Sequence, residues 1–200
     1  MKRHPLQPAA VCVYCASSAD VSPAIKEAGA RAGRLLAEAG LDLVYGGTTC
    51  GLMKITADAH KAAGGRVIGI VPGFMVERGI AHPELDEVVA VPDMRTRKGT
   101  MIERSGAFLV LPGGIGTYDE LFDTLALKQL GKHHKPIVLL NTGGYYEPLL
   151  AMLRHGVAEH TLKAGHLSLL GVAATPEEAL ELLAAGGGPP SFPPKIGEHD

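Results

Sequence analysis

Pro112-Gly113-Gly114-Ile115-Gly116-Thr117-Tyr118-Asp119-Glu120 combines a glycine loop with a carboxylate, a pairing suited to chemistry on an anion. The apolar run at 107–111 before it reads as a strand, and Leu121, Phe122, Leu125 and Gln129 after it follow a helical spacing. A strand that feeds a helix through such a loop presents backbone N–H groups at the positive end of the helix dipole, most often to phosphate. Gly113, Gly114 and Gly116 put no Cβ between the backbone and a ligand. The loop lacks both the Lys-Ser/Thr ending of a Walker A loop and the G-x-G-x-x-G spacing of a dinucleotide fingerprint. Glu120, one turn into the helix, is the added acid. Thr117-x-x-Glu120 also fits a capping box, with Thr117 as N-cap and Glu120 at its third helical position. Capping and chemistry are therefore both open for Glu120, and neither excludes the other.

A second constellation is Met94-Arg95-Thr96-Arg97-Lys98-Gly99-Thr100-Met101, after a strand ending at Val91-Pro92. On a helix, Met94, Arg97, Lys98 and Met101 share one face. Two cations flanked by two methionines suit an anion beside an apolar ring, and Arg can grip phosphate or carboxylate in a bidentate fork. A solvated basic turn is the plainer alternative. The cluster's place after a strand end, and before the strand that leads to the glycine loop, favours the functional one. Cys12 and Cys15 form a C-x-x-C inside an apolar run, where residues three apart point to opposite faces of a strand, so they read as buried apolar residues. His133-His134 is expected in a solvent-facing loop. His60, His155 and His160 fall in helical settings without partners at ligand spacing, so no metal site is assigned. Asp58 reads as a helix-surface charge. No G-x-S-x-G elbow is present.

The elements that position these residues alternate strand and helix, the pattern of an α/β fold with a mostly parallel sheet and helices on both faces. Strands are expected at 10–15, 41–45, 67–71, 88–91, 107–111 and 137–140, with a short seventh at 167–172. Helices are expected at 23–39, 51–63, 94–105, 118–130, 146–159 and 176–183. Ser22-Pro23 and Thr175-Pro176 start helices, with Glu178 completing a capping box, and Gly40 and Gly64-Gly65 stop them. In such sheets ligands bind beyond the carboxyl ends of the strands, near the reversal in strand order. Ala16-Ser17-Ser18, Gly46-Gly47-Thr48-Thr49-Cys50-Gly51 and the 112–117 loop all stand at expected strand ends.

The chain has 200 residues, 46% hydrophobic, with 26 glycines, which suits one domain over 1–185. The Gly- and Pro-rich stretch 186–200 reads as a flexible tail. A net charge of −2 gives no basic field for nucleic acid, and aromatics at 4% with no Trp give no stacking platform for bases. No apolar run approaches the ~20 residues of a membrane span. The first residues do not resemble a signal peptide. Three cysteines, an odd number, make no disulfide framework. A cytoplasmic protein is expected.

On these residues the chain resembles the LONELY GUY cytokinin-riboside-monophosphate phosphoribohydrolases, long labelled "lysine decarboxylase-like". The resemblance runs from about Val11 to Leu183. It rests on 11–18, Tyr45-Gly46-Gly47 with Gly51-Leu52-Met53, Val67-Ile68-Gly69-Ile70, Met94-x-x-Arg97-Lys98 and the 112–120 motif. Gln129-Leu130-Gly131 with Lys135-Pro136, and Asn141 with Gly144-Tyr145-Tyr146, extend it. It implies a Rossmann-like fold, a homodimer or larger homo-oligomer, and hydrolysis of a nucleoside 5′-monophosphate to free base and ribose 5-phosphate. By matching positions, Arg97 and Glu120 resemble the catalytic pair. Gly113, Gly114, Gly116 and Thr117 resemble the phosphate cradle, and Ser17, Gly46, Gly47, Met94 and Lys98 further nucleotide contacts. Arg97 is left open between helping the base depart and holding phosphate. No cofactor is implied, and nothing in the sequence supports a pyridoxal phosphate site. The alternative is a non-hydrolytic nucleotide or molybdenum-cofactor carrier on the same fold. Three positions depart from the family's pattern: Arg95 stands in place of a histidine, Gly79 in place of a frequent glutamate, and Ala126 in place of a threonine. None alters Arg97 or Glu120, so the departures bear on substrate preference.

Overall fold

The computed structural model describes residues 9–186. The expected tail, from 187 on, and the first eight residues lie outside them. Seven strands form one all-parallel sheet: β1 (Ala10–Tyr14), β2 (Asp42–Tyr45), β3 (Val67–Pro72), β4 (Glu87–Val91), β5 (Ala107–Val110), β6 (Ile137–Leu140) and β7 (Gly171–Ala173). Their spatial order is β4-β3-β2-β1-β5-β6-β7. The chain therefore builds outward from β1 to one edge, crosses back to β5, and builds to the other. The reversal lies between β1 and β5.

Both faces of the sheet are covered, which is why its central strands are apolar runs rather than alternating patterns. α1 (Pro23–Glu38), α2 (Gly51–Ala62) and α7 (Pro176–Ala184) pack on Val11, Val13, Leu43 and Leu109. α4 (Met94–Arg104), α5 (Ile115–Gln129) and α6 (Glu147–Ala158) pack on Cys12, Tyr14, Phe108 and Leu139. Cys12 and Cys15 are buried on opposite faces, and burial pushes both thiols well above the usual range, so neither is a redox partner of the other. α1 and α2 approach closely because Gly33 stands against the backbone of Thr56: a Cβ there would lie 2.3 Å from the Thr56 carbonyl oxygen.

The helix starts follow local chemistry. Ser22 Oγ accepts from Ile25 N–H, and Thr175 Oγ1 accepts from Glu178 N–H. The Glu178 carboxylate takes the Ala174 N–H rather than closing a capping box on Thr175. Asp93 caps α4, its Oδ1 accepting from Thr96 N–H at 2.7 Å.

Three expectations are corrected. The seventh strand is only Gly171–Ala173, because Ala164–Leu169 turn as a 3-10 helix and leave three residues to pair with β6. A short α3 (Gly73–Glu77) follows β3 where no helix was expected; at five residues it is too short to show a period. α5 begins at Ile115, three residues early, with Gly114 as its N-cap and no side chain capping it.

Candidate active site

The loops after β1, β2 and β5 meet on the carboxyl edge of the sheet, where ligands bind in folds of this kind. Ala16 joins them. Its N–H donates to the Pro112 carbonyl at 3.1 Å, and its own carbonyl accepts from Leu52 N–H at 3.1 Å. Ser17 is exposed beyond it, and Gly46 and Gly47 are buried beneath. Gly47 is held by its carbonyl, which accepts from His82 N–H at 2.8 Å. His82 is itself buried, with Nδ1 accepting from Glu84 N–H. Nε2 therefore carries the proton and donates to Asp58 at 3.0 Å. Asp58 also pairs with Lys54 on the surface of α2, as expected of a helix-surface charge.

Thr117 is not the N-cap of α5. It is buried at the third helical position, packed against Gly113, where a Cβ would lie 2.1 Å from its Oγ1. Glu120 consequently sits in the second turn and has no capping duty. That leaves the N–H groups of Gly114, Ile115, Gly116 and Thr117 without an acceptor among the described residues. Gly114 and Gly116 are exposed, with open space where a side chain would stand.

Arg97 lies in the first turn of α4 and is only 8% exposed. Its Nε donates to the Ile70 carbonyl at 3.0 Å, and one terminal nitrogen donates to Glu120 Oε1 at 3.4 Å. The other terminal nitrogen lies against Gly46, where a Cβ would stand 2.0 Å from it. The guanidinium is therefore fixed by β3, β2 and α5 together. The Glu120 side chain is 14% exposed. Burial pushes its carboxyl up to about 7, against the opposing pull of Arg97. A carboxylate that titrates near neutrality in a cleft is a frequent mark of a functional group.

The rest of the α4 face divides. Lys98 does not face the glycine loop: its ammonium is 2.9 Å from Asp119 and 3.7 Å from Asp123, which raise its pKa, so it ties α4 to α5 on the outer side. Met94 is 45% exposed at the rim, whereas Met101 is buried in the core and takes no part in the cleft. Arg95 is exposed on the first turn of α4. Gly79 completes a Schellman end to α3: its N–H donates to Val76 and that of Ile80 to Met75, with φ at +68°. The glutamate expected there on the resemblance would be strained in that conformation. His133 is also corrected. It is 9% exposed, with Nε2 at 3.0 Å from the Thr124 carbonyl, whereas His134 is exposed. His160 lies past the end of α6 at φ +57°.

Tyr145 and Tyr146 were legible only as part of a motif. A 3-10 turn at Thr142–Gly144, with Gly143 at φ +61° and Gly144 at +75°, delivers both rings beside the glycine loop. Asn141 Oδ1 accepts from Tyr146 N–H and fixes the turn. Tyr146 Oη donates to the Leu111 carbonyl, and Tyr145 Oη to the Gly113 carbonyl, each at 2.6 Å. Tyr145 has spent its proton there, so Tyr118 Oη, 3.0 Å away, must donate to it. Burial, followed by Tyr118, pushes Tyr145 up to about 12, so it remains a donor at neutral pH.

The site thus pairs a buried cation and a neutral-range carboxyl beside unsatisfied N–H groups at a helix start. Among the described residues no group of three His, Cys, Asp or Glu could hold a metal ion. No helix there is long and apolar enough to cross a membrane.

A family model described as "Possible lysine decarboxylase" matches residues 53–183. A probable cytokinin riboside 5′-monophosphate phosphoribohydrolase of Oryza sativa subsp. japonica is 40% identical over 173 residues, 86% of this chain and 71% of the relative. A cytokinin riboside 5′-monophosphate phosphoribohydrolase of Arabidopsis thaliana is 42% identical over 149 residues, 74% and 69% of the two chains. Among solved structures, the molybdenum cofactor binding protein of Rippkaea orientalis superposes with a TM-score of 0.66 at 22% identity, over 88% of this chain and 96% of that one. At that identity the likeness concerns the fold alone.

Proposed function

This chain belongs to the family of the cytokinin riboside 5′-monophosphate phosphoribohydrolases, described also as possible lysine decarboxylases, and from that membership we propose that it hydrolyses nucleoside 5′-monophosphates, AMP and its N6-substituted forms, to free base and ribose 5-phosphate. The observation that carries the proposal is the Arg97–Glu120 pair, held in the cleft beside the unsatisfied N–H groups of 114–117. The 5′-phosphate sits on those N–H groups, with Thr117 supporting Gly113 from below. Ser17, Gly46 and Gly47 line the opposite wall, and Met94 covers the rim. Lys98 belongs to this set as a phosphate contact only if substrate draws it away from Asp119.

In the reaction the bond between C1′ of the ribose and the base nitrogen breaks, and positive charge builds on the ribose. The ionised Glu120 carboxylate stabilises that charge and takes a proton from the attacking water. The water oxygen bonds to C1′, and the proton taken up by Glu120 passes on to a ring nitrogen of the departing base, which restores the carboxylate. Arg97 holds Glu120 in place and supplies positive charge toward the departing base. Preorganised charges of this kind commonly contribute ~3–4 kcal/mol each.

The word decarboxylase implies a pyridoxal group, which needs an amine able to form a Schiff base. Lys98, at this rim, is held charged between two carboxylates, so these residues do not fit that group. The molybdenum-cofactor carriers share the fold. Binding without turnover is the competing reading. We also infer a homodimer, since α5 and α6 leave Phe122, Leu130 and Met152 exposed.

Incubation with AMP and isopentenyladenosine monophosphate tests the proposal. Release of ribose 5-phosphate, lost in Glu120→Gln, is expected. Tight binding with no ribose 5-phosphate formed by the wild type would overturn it in favour of a carrier.

A further inference from the structure

A peptide unit is planar and trans, so the carbonyl of one residue and the N–H of the next point in opposite directions. The Gly113 carbonyl is held by Tyr145 Oη at 2.6 Å. Tyr145 follows β6, on one flank of β5, whereas Ser17, Gly46 and Arg97 gather on the β1 flank. With its carbonyl drawn toward β6, this peptide aims the Gly114 N–H the other way, into the cleft. Gly114 is exposed, with open space where a side chain would stand, and of this peptide's two polar groups it is the Gly113 carbonyl that has a partner. A glycine–glycine peptide is the unit of the chain most prone to flip.

Resting on the phosphate-cradle reading above, we propose that Tyr145 is a positioning residue, which locks the Gly113–Gly114 peptide so that the Gly114 N–H faces the substrate's phosphate. Tyr118 completes the relay by donating to Tyr145 Oη, which orients the phenol. Tyr145 touches neither the reacting atoms nor the phosphate and acts only through the peptide.

The neighbouring tyrosine is an internal control. Tyr146 Oη makes the same 2.6 Å bond, to the Leu111 carbonyl, but the next residue is Pro112 and has no N–H to aim. Its bond satisfies a buried acceptor and no more. Two adjacent residues, with equal hydrogen bonds to one loop, are thereby assigned different duties.

The test is the affinity of the full chain for AMP and for adenosine, measured by calorimetry in a Glu120→Gln background that stops turnover. Tyr145→Phe is expected to raise the Kd for AMP about tenfold, as loss of one aligned hydrogen bond to a charged group would. Its Kd for adenosine should stay within about twofold. Tyr146→Phe should lower the melting temperature and leave the AMP-to-adenosine ratio where it was. An unchanged ratio in Tyr145→Phe, or an equal loss for both ligands, would overturn the assignment. Should Tyr145→Phe not fold, Tyr118→Phe is measured instead. A threefold loss for AMP alone supports the relay, and no loss counts against it. Wild-type protein that prefers AMP to adenosine but releases no ribose 5-phosphate would strike the hydrolytic reading and leave Tyr145 in place.

Discussion

Glu120 ties stability to activity through one proton. Its carboxyl is pushed from the ordinary glutamate value of 4.5 up to about 7, chiefly by burial. A raised carboxyl favours the fold while protonated, so its contribution is complete below about pH 4.5 and disappears as pH rises through about 7. That difference corresponds to about 3 kcal/mol at most. Glu120→Gln should therefore be more stable than wild type at pH 8 and nearly equal at pH 4.5, as urea melts at both values would show. The rate depends on the opposite form. kcat/KM in the wild type should climb between pH 6 and 8 as the carboxylate ionises, a limb read from a pH–rate profile and absent in the variant. Gly46→Ala separates the two properties differently. The added methyl meets the end of the Arg97 side chain, a flexible terminus whose displacement costs the contact with Glu120 but moves no backbone. Activity should drop at least about a hundredfold, as expected for a displaced charge at a reacting centre, with little change in the melting temperature. At this scale the sequence brought Arg97, Glu120 and the glycine loop to one edge of the sheet, but not the way each is held. The glycine loop and the Arg97–Glu120 pairing were legible. That Lys98 turns to Asp119, or that Met101 enters the core, depends on side-chain directions that helical spacing alone does not fix.

Helix starts do much of the positioning among the elements. Asp93 sets where α4 begins, and Arg97 is the residue whose N–H donates to the Asp93 carbonyl, so the cap fixes the height of the guanidinium above the sheet. Asp93→Ala should lower stability in urea melts, since the Thr96 N–H then loses its capping acceptor. A larger fall in kcat than in KM, measured by steady-state kinetics, is expected beside it. Alternation of strand and helix was plain in the sequence, because buried parallel strands are continuous apolar runs. The start of α5 was not. Thr117 and Glu120 match the capping-box spacing, but glycines ahead of them let the helix begin sooner, and Thr117 is drawn beneath Gly113 instead. The same ambiguity displaced the last strand, where Leu167, Leu169 and Leu170 suit either a strand or a tight turn of helix. At Gly33, close packing of α1 on α2 depends on a missing methyl. Gly33→Ala meets the backbone of Thr56, which cannot rotate away, so a loss of about 1–3 kcal/mol is expected in urea melts.

At the scale of the whole molecule, the order β4-β3-β2-β1-β5-β6-β7 explains why residues so distant in sequence share a cleft. The reversal between β1 and β5 parts the loops, and the helices following β4 and β5 lean Arg97 and Glu120 toward each other. Exposed apolar residues on α5 and α6 lead to an expected mass of twice 20.9 kDa by light scattering at micromolar concentration. Phe122→Asp should halve it, and a monomeric wild type would rule the pairing out.

Ala16 gives the cleft its mechanical character. One peptide N–H grips the loop after β5, and the carbonyl of the same residue grips the start of α2. Neither of these two walls can swing outward without breaking its bond to Ala16, so together they behave as a fixed gauge rather than a jaw. A ligand of matching width is expected to bind without the loop after β5 parting from the start of α2.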